Sequence, residues 1–276
     1  QGSTFNGFFN NYDGLASGLQ PIGVKYDDAS RKVVCTLEQD DIMDGLNWLH
    51  KWYQDGIINP DANVVTDGGK GSIFGSAQGW PAAATTWAFN QGIEKYDLTQ
   101  VFGPLYTTET IQGSMNAISA NSKYKTEALK VLQLMNTDPK FRDMCAYGTE
   151  GNYMEYAEDG TVQKLRDDWN WPSYTQGTFF ILSTQADGDP DAWNQVKEQN
   201  ESATSSTCLG FALDVTNIQN EIANCNTVWD KYKNDLLTGA SDPATAVPAC
   251  IEELKAAGLD TVIEEAQKQV DEFFAN

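Results

Sequence analysis

From Thr216 to the terminus the chain is punctuated as three consecutive helices, and that run limits what the rest can build. The first covers about residues 216–237 and stops at Gly239, a residue that closes helices because it enters the left-handed region at little cost. The second starts after Ser241-Asp242-Pro243, where the proline ring is preset for a first helical turn, and ends near Gly258. The third, from Asp260 onward, puts Val262, Ile263, Ala266, Val270, Phe273 and Phe274 on one face. Helices with one apolar face need a second layer to bury it.

The upstream sequence supplies that layer. Residues 21–36 alternate: Ile22, Val24 and Tyr26, then the polar turn Asp27-Asp28-Ala29-Ser30, then Val33, Val34 and Cys35. This predicts a β-hairpin. Asp40 to Asp55 predicts a helix. Asp40, Asp41 and Asp44 crowd its first turn, where the helix dipole favours anions. Ile42, Leu46, Leu49, Trp52 and Tyr53 recur at helical spacing, Gly56 caps the end and Pro60 blocks continuation. Residues 4–20, with Phe5, Phe8, Phe9 and Tyr12, have no clean period and read as a loop with exposed aromatics. A helix is expected over 82–95, a strand over Leu98–Leu105 and a buried strand over Met115–Ala120. Helices follow at Tyr124–Met135, from Pro139 through Tyr147 and around Pro190–Asn200. Residues 148–182 alternate turns and short strands and carry Tyr153, Tyr156, Trp169, Trp171, Tyr174, Phe179 and Phe180.

Charge and residue counts exclude several functions. Eighteen Lys and Arg stand against 39 Asp and Glu, a formal net charge of −21. Such a field repels a phosphate backbone, so no nucleic-acid partner is expected, nor direct docking on an anionic membrane surface. The single histidine, His50, leaves no Ser/His/Asp set and no multi-His metal site; on its helix it reads as structural. Five cysteines lack a CxxC spacing and read as buried thiols, with a Cys208–Cys225 or Cys225–Cys250 disulfide as the alternative. Carboxylate pairs such as Asp167/Asp168 arise by chance among so many acids, and neither DGGKG nor ADGDPD (186–191) has the spacing of a calcium loop. No enzyme activity, cofactor or metal is expected. No apolar run is long enough to span a bilayer as a helix.

What the counts leave room for is a flat-faced ligand. Eight tryptophans and eleven tyrosines occur in an acidic chain. Ser72 to Tyr106 (SIFGSAQGWPAAATTWAFNQGIEKYDLTQVFGPLY) concentrates the pattern: a glycine-rich approach, Trp80 and Trp87, and an apolar run ending in Gly103-Pro104. A pyranose has C–H faces that suit aromatic rings and hydroxyl edges that suit planar amides. Covering one face removes about 50–100 Å² of apolar surface, worth roughly 1–2 kcal/mol. Trp80 and Trp87 are candidate platforms; Gln78, Asn90 and Gln112 are candidate edge readers, with Tyr106 beside them. Trp171 and Tyr174 are added on composition alone. Trp48, Trp52, Trp193 and Trp229 lie on helical stretches and are assigned to the core.

Three stretches resemble a known family: GLNWLHKWYQDGIINPDA (45–62), MNAISANSKYKTEALKVLQLMNTDPKFRDMCAYGTEG (115–151) and TVWDKYKNDLLTGASDPATAVPACIEELKAAGLDTVIEEAQKQVDEFF (227–274). They are similar to the extracellular solute-binding proteins of bacterial ABC importers, the oligosaccharide-carrying group, and within it to lipoproteins of gut Firmicutes. The resemblance implies an α/β, type II periplasmic-binding-protein-like fold with a helical C-terminal region. It implies a carbohydrate, an oligosaccharide by preference, captured in an aromatic-lined cleft between lobes and delivered to permease subunits in the membrane. Trp80 matches the tryptophan after a glycine that stacks on sugar in relatives, and Phe8, Phe9 and Tyr12 fall where relatives carry aromatics. By this resemblance residues 4–111 begin the C-terminal lobe, 112–147 cross to the N-terminal lobe, and 148–276 complete the C-terminal lobe and its helices. The lipid anchor and most of the N-terminal lobe have no counterpart here, and Gln1-Gly2-Ser3 looks like the remnant of a cleaved tag, so a truncated form is expected. A peptide or other small-solute receptor and, in another class, a glycan-degrading enzyme remain as alternative readings.

Overall fold

The structure, a computed structural model, describes residues 4–65, 78–81, 83, 97–166, 168–169, 171 and 173–275. In chain order its elements are a 3-10 turn (Gly7–Asn11), β1 (Tyr12–Asp13), β2 (Ile22–Lys25), β3 (Val33–Cys35), a 3-10 turn (Thr36–Glu38) and α1 (Asp40–Gln54). Next come β4 (Leu105–Tyr106), α2 (Thr108–Ile111), α3 (Lys125–Thr137), α4 (Pro139–Tyr147), β5 (Met154–Tyr156), β6 (Val162–Lys164) and a 3-10 turn (Ser173–Thr175). The chain closes with α5 (Ala192–Glu201), β7 (Thr204–Ser205), α6 (Gln219–Thr238), α7 (Pro243–Ala256) and α8 (Leu259–Phe274). The residues fall into two compact units: Gln1–Ser76 with Leu105–Thr110 and Ser205–Asn276, and Ala77–Pro104 with Ile111–Thr204. The segment 112–147 thus belongs to the same unit as 148–204.

In the first unit β1, β2 and β3 form an antiparallel sheet in which Asp13 faces Val24 and Ile22 faces Cys35. The hairpin expected at 21–36 is β2–β3. Ile22, Val24, Val33 and Cys35 join Ile42, Leu46, Leu236, Leu254, Val262, Ala266 and Val270 in one buried core. Each of the Ile, Leu and Val side chains among them contributes about 1.5–3 kcal/mol relative to leaving it in water. The helix boundaries read from the sequence hold. Gly239 caps α6 at φ +77°, and the Asp242 side chain accepts from Ala244 N–H at 2.9 Å as Pro243 opens α7.

The second unit has a smaller core of Tyr147, Met154, Val162 and Leu182. It is tied together by buried polar groups on α4. Arg142 is 0% exposed; its Nε donates to Thr178 O at 3.0 Å and its Nη2 to Ser173 O at 2.9 Å. The neighbouring Asp143 carboxylate accepts from Ser183 N–H (2.9 Å), Ser183 Oγ (2.8 Å) and Tyr156 Oη (3.0 Å). Burial holds the Tyr156 phenol above its ordinary range, with the Asp143 hydrogen bond adding to the shift. Together these bonds hold residues 173–183 against α4 without a regular sheet.

Several expectations need correction. Met115–Ala120 is neither buried nor a strand, and of the strand expected at Leu98–Leu105 only Leu105 is in one. Phe9 and Tyr12 are not exposed loop aromatics. The 3-10 turn drives Phe9 inward, 6% exposed, edge-on to Trp229 at 6.1 Å. Tyr12 enters β1, 9% exposed, and donates to Asp41 Oδ1 at 2.7 Å. Trp229 is core as expected. Trp48 and Trp52 are not: they are 58% and 37% exposed. Spaced four apart, they sit next to each other, rings tilted by 48°, along the flank of α1, beside the Ile42/Leu46/Leu49 stripe rather than on it. All five cysteines are free thiols, four of them buried, so neither disulfide forms. The helix expected over 82–95 lies outside the described residues apart from Ala83.

Candidate functional site

The candidate residues read from the sequence divide between the units. Phe8, Phe9, Tyr12 and Tyr106 lie in the first, and Gln78, Trp80, Gln112, Trp171 and Tyr174 in the second. Trp87 and Asn90 lie outside the described residues, as does the side chain of Tyr174. Gln78 and Gln112 are exposed, while Trp80, Tyr106 and Trp171 are half-buried. Trp80 O accepts from Ala83 N–H at 2.9 Å, which bends the chain directly after the ring. Tyr106 sits on β4, where its carbonyl accepts from Ser206 N–H at 3.0 Å. The Trp171 indole N–H is buried without a protein acceptor. Phe9 and Tyr12 are taken up by the core.

Phe8 is the sequence candidate that joins a concave surface. A groove of about 290 Å³ in the first unit is lined by Phe5, Phe8, Gly45, Trp48, Leu49 and Trp52. Gly45 is required there: a Cβ at that position would stand 2.7 Å from Phe8 Cδ1. Trp48 and Trp52 have ring centroids 6.3 Å apart, and Phe5 and Phe8 5.9 Å apart. This surface can stack on the apolar face of a ligand, but it brings almost no hydrogen-bonding group to it.

The second unit contains a cavity of about 460 Å³ with the opposite balance. Its polar lining is Asp159, Thr161, Ser183, Thr184 and Asn194; Phe180, Leu182, Pro190 and Trp193 supply apolar surface. Phe180 is 52% exposed and free to act as a platform. Trp193 is braced from behind by Phe179, stacked at 4.9 Å and 24°, and its indole N–H is buried without a protein acceptor. Asp159 closes a turn by accepting from Thr161 Oγ1 at 2.7 Å and Thr161 N–H at 3.0 Å. Those bonds hold its carboxyl below the usual carboxylate range. None of these residues was read from the sequence as a ligand contact; Phe180 was named only among the aromatics of 148–182, and Trp193, assigned to the core, is half-buried and lines the cavity. The available signal was the aromatic density of 148–182, which named the region but not which rings face open space.

His50 is structural, as its helical setting implies. Its Nδ1 carries the proton, because its partner at 2.8 Å is the Gly239 carbonyl oxygen, which can only accept. Among the described residues no group of His, Cys, Asp and Glu could hold a metal ion, and no helix is long and apolar enough to cross a membrane.

The comparisons with known proteins agree with this architecture. Over 96% of the chain, the structure superposes with a TM-score of 0.83 on the N-glycan transport solute binding protein NgtS from Streptococcus pneumoniae, at 26% identity. The chain has the type II fold of ABC-importer solute-binding proteins. A carbohydrate ABC transporter substrate-binding protein of Streptococcus pneumoniae serotype 4 is 28% identical over 283 residues, which cover 97% of the chain. NgtS in complex with Man5GlcNAc matches at 25% identity and a TM-score of 0.73. The solute-binding protein of Bifidobacterium longum infantis described as HMO-binding shares the fold at 15% identity and a TM-score of 0.53. A family described as a domain of unknown function, DUF3502, matches residues 207–275, which comprise α6 to α8 and the approach to them. The chain spans 57% of that curated relative and 61% of the NgtS chain. The relatives are named for binding and transport rather than for a reaction, in line with the expectation of no enzyme activity.

Proposed function

We propose that this chain captures a carbohydrate, an oligosaccharide by preference, as the solute-binding component of an ABC importer. The observation that carries the reading is similarity along 97% of the chain to a carbohydrate ABC transporter substrate-binding protein, joined to the fold likeness with NgtS. The surfaces described above supply the matching chemistry: indole and phenyl rings for the C–H faces of a sugar, hydroxyls, an amide and a carboxylate for its edges. Our candidate contact residues are Phe8, Trp80, Tyr106 and Trp171, with Gln78 and Gln112 as edge readers. Trp87 and Tyr174 complete the set on the sequence argument. The protein works outside the cell, held at the surface by a lipid anchor, and hands its cargo to membrane permease subunits.

Calorimetric titration of the full-length gene product with a glycan panel tests this, with mannose- and N-acetylglucosamine-containing oligosaccharides first. Saturable heat with at least one oligosaccharide is the expected result. Silence with every sugar, together with clear binding of amino acids or peptides, overturns it.

A further inference from the structure

We propose that the cavity of the second unit is a sugar subsite that takes a neutral, hydroxyl-rich pyranose and rejects acidic sugars. This rests on the carbohydrate reading and adds to it a place and a selectivity. The cavity of about 460 Å³ lies within the range of small-molecule sites, and its lining is richer in polar groups than the mostly apolar form such sites usually take.

The selectivity follows from where the hydroxyl hydrogens already point. Ser183 Oγ donates to the buried Asp143 carboxylate at 2.8 Å, and Thr161 Oγ1 donates to Asp159 at 2.7 Å. Both oxygens are left with lone pairs. One N–H of Asn194 is taken by Asp191 at 2.7 Å, leaving its carbonyl oxygen and a single N–H. The Trp193 N–H is buried in the wall. Acceptors therefore outnumber donors on the cavity surface, and a ligand must bring hydrogens. Sugar hydroxyls donate as readily as they accept; a carboxylate only accepts, and in this lining it finds the second Asn194 N–H and the Thr184 hydroxyl against a larger number of lone pairs.

Charge acts in the same direction. Among the described residues Asp159 is the one charged residue in the lining, and its hydrogen bonds to Thr161 favour the ionised form. The chain around it carries a formal charge of −21. An anionic sugar is opposed by a local repulsion at the cavity and by a long-range field that salt screens. Phe180 supplies the stacking face, with Leu182 and Pro190 beside it.

The test titrates the full-length gene product with neutral oligosaccharides and with the same glycans capped by sialic acid. We expect the neutral member of each pair to bind at least tenfold tighter, with the gap narrowing as salt rises. Phe180→Ala, an exposed position that leaves the core intact, weakens neutral binding about tenfold through the lost stacking face. Asn194→Ala also weakens it, and Asp159→Asn, which keeps the turn acceptor, shrinks the neutral-over-anionic ratio. Neutral glycans that bind Phe180→Ala and Asn194→Ala within twofold of the unaltered protein overturn the placement while leaving the carbohydrate reading intact. Equal binding of neutral and sialylated glycans overturns the selectivity. Absence of binding by any glycan overturns the carbohydrate reading itself, and the subsite with it.

Discussion

Replacing Gly239 by alanine tests how the first unit is assembled. Gly239 caps α6 at φ +77°, and its carbonyl accepts from His50 on α1 at 2.8 Å. A Cβ there would stand 2.2 Å from Leu49 O, 2.4 Å from Leu49 C and 2.7 Å from His50 N. These are backbone atoms, which cannot swing aside as a side-chain tip would, so the ends of α1 and α6 must separate. Three costs add. The left-handed conformation costs alanine about 1 kcal/mol. Forced repacking at a close contact costs about 1–3 kcal/mol. Loss of the His50–Gly239 hydrogen bond costs about 1 kcal/mol. The sum is about 3–5 kcal/mol, a large share of a domain's net stability. Gly56→Ala is the internal control: its φ is +72°, and a Cβ would meet nothing within 4 Å. It carries only the conformational cost, about 1 kcal/mol. Urea denaturation followed by far-UV circular dichroism and tryptophan fluorescence gives both values. If Gly239→Ala loses no more than Gly56→Ala, the close approach of the two helix ends is refuted.

Three further outcomes follow from named groups. Asp143→Asn puts an amide N–H against the three donors that Asp143 now accepts and lowers stability by about 2–3 kcal/mol in chemical denaturation; a loss below about 0.5 kcal/mol contradicts the network. Burial pushes the thiols of Cys35, Cys208 and Cys225 up to about 11 and that of Cys250 up to about 12. Iodoacetamide at pH 8 therefore leaves these four unmodified in the native protein, whereas unfolding without reductant exposes five alkylatable thiols by mass; fewer than five would reveal a disulfide. Lys231 and Tyr232 hold the Glu253 carboxyl below its ordinary 4.5. A depressed folded pKa gives stability that is complete above 4.5 and lost as pH falls through the folded value. Glu253→Gln should then flatten the fall in denaturation midpoint between pH 6 and pH 3, and an unchanged slope would show that the pair contributes nothing.

Where local chemistry decides the structure, the sequence was legible. Gly239, Pro243 and Gly258 mark helix ends because φ preference and the missing proline N–H act at the residue itself. The alternation at 21–36 and the Ile42/Leu46/Leu49 stripe declare their faces through period alone, and both proved buried. The family resemblance followed from the same well-punctuated stretches. Aromatic rings were harder to place, because a ring suits a core and a ligand face equally. Phe9 and Tyr12, read as cleft aromatics, are held in by Trp229 and Asp41, while Trp48 and Trp52, read as core, line an open groove. Only packing against partners distant in sequence separates those outcomes. The cavity of the second unit belongs wholly to that category. Asp159, Phe180, Ser183 and Asn194 lie on separate turns and one helix end, without period or motif. Phe180 and Ser183 are held by the buried Arg142–Asp143 pair gripping residues 173–183, and the strand after the Asp159 turn is joined to 184–186 by the Val162 N–H to Thr184 O and Ala186 N–H to Val162 O bonds; contacts between positions some 20 to 40 apart have no signature in the local sequence.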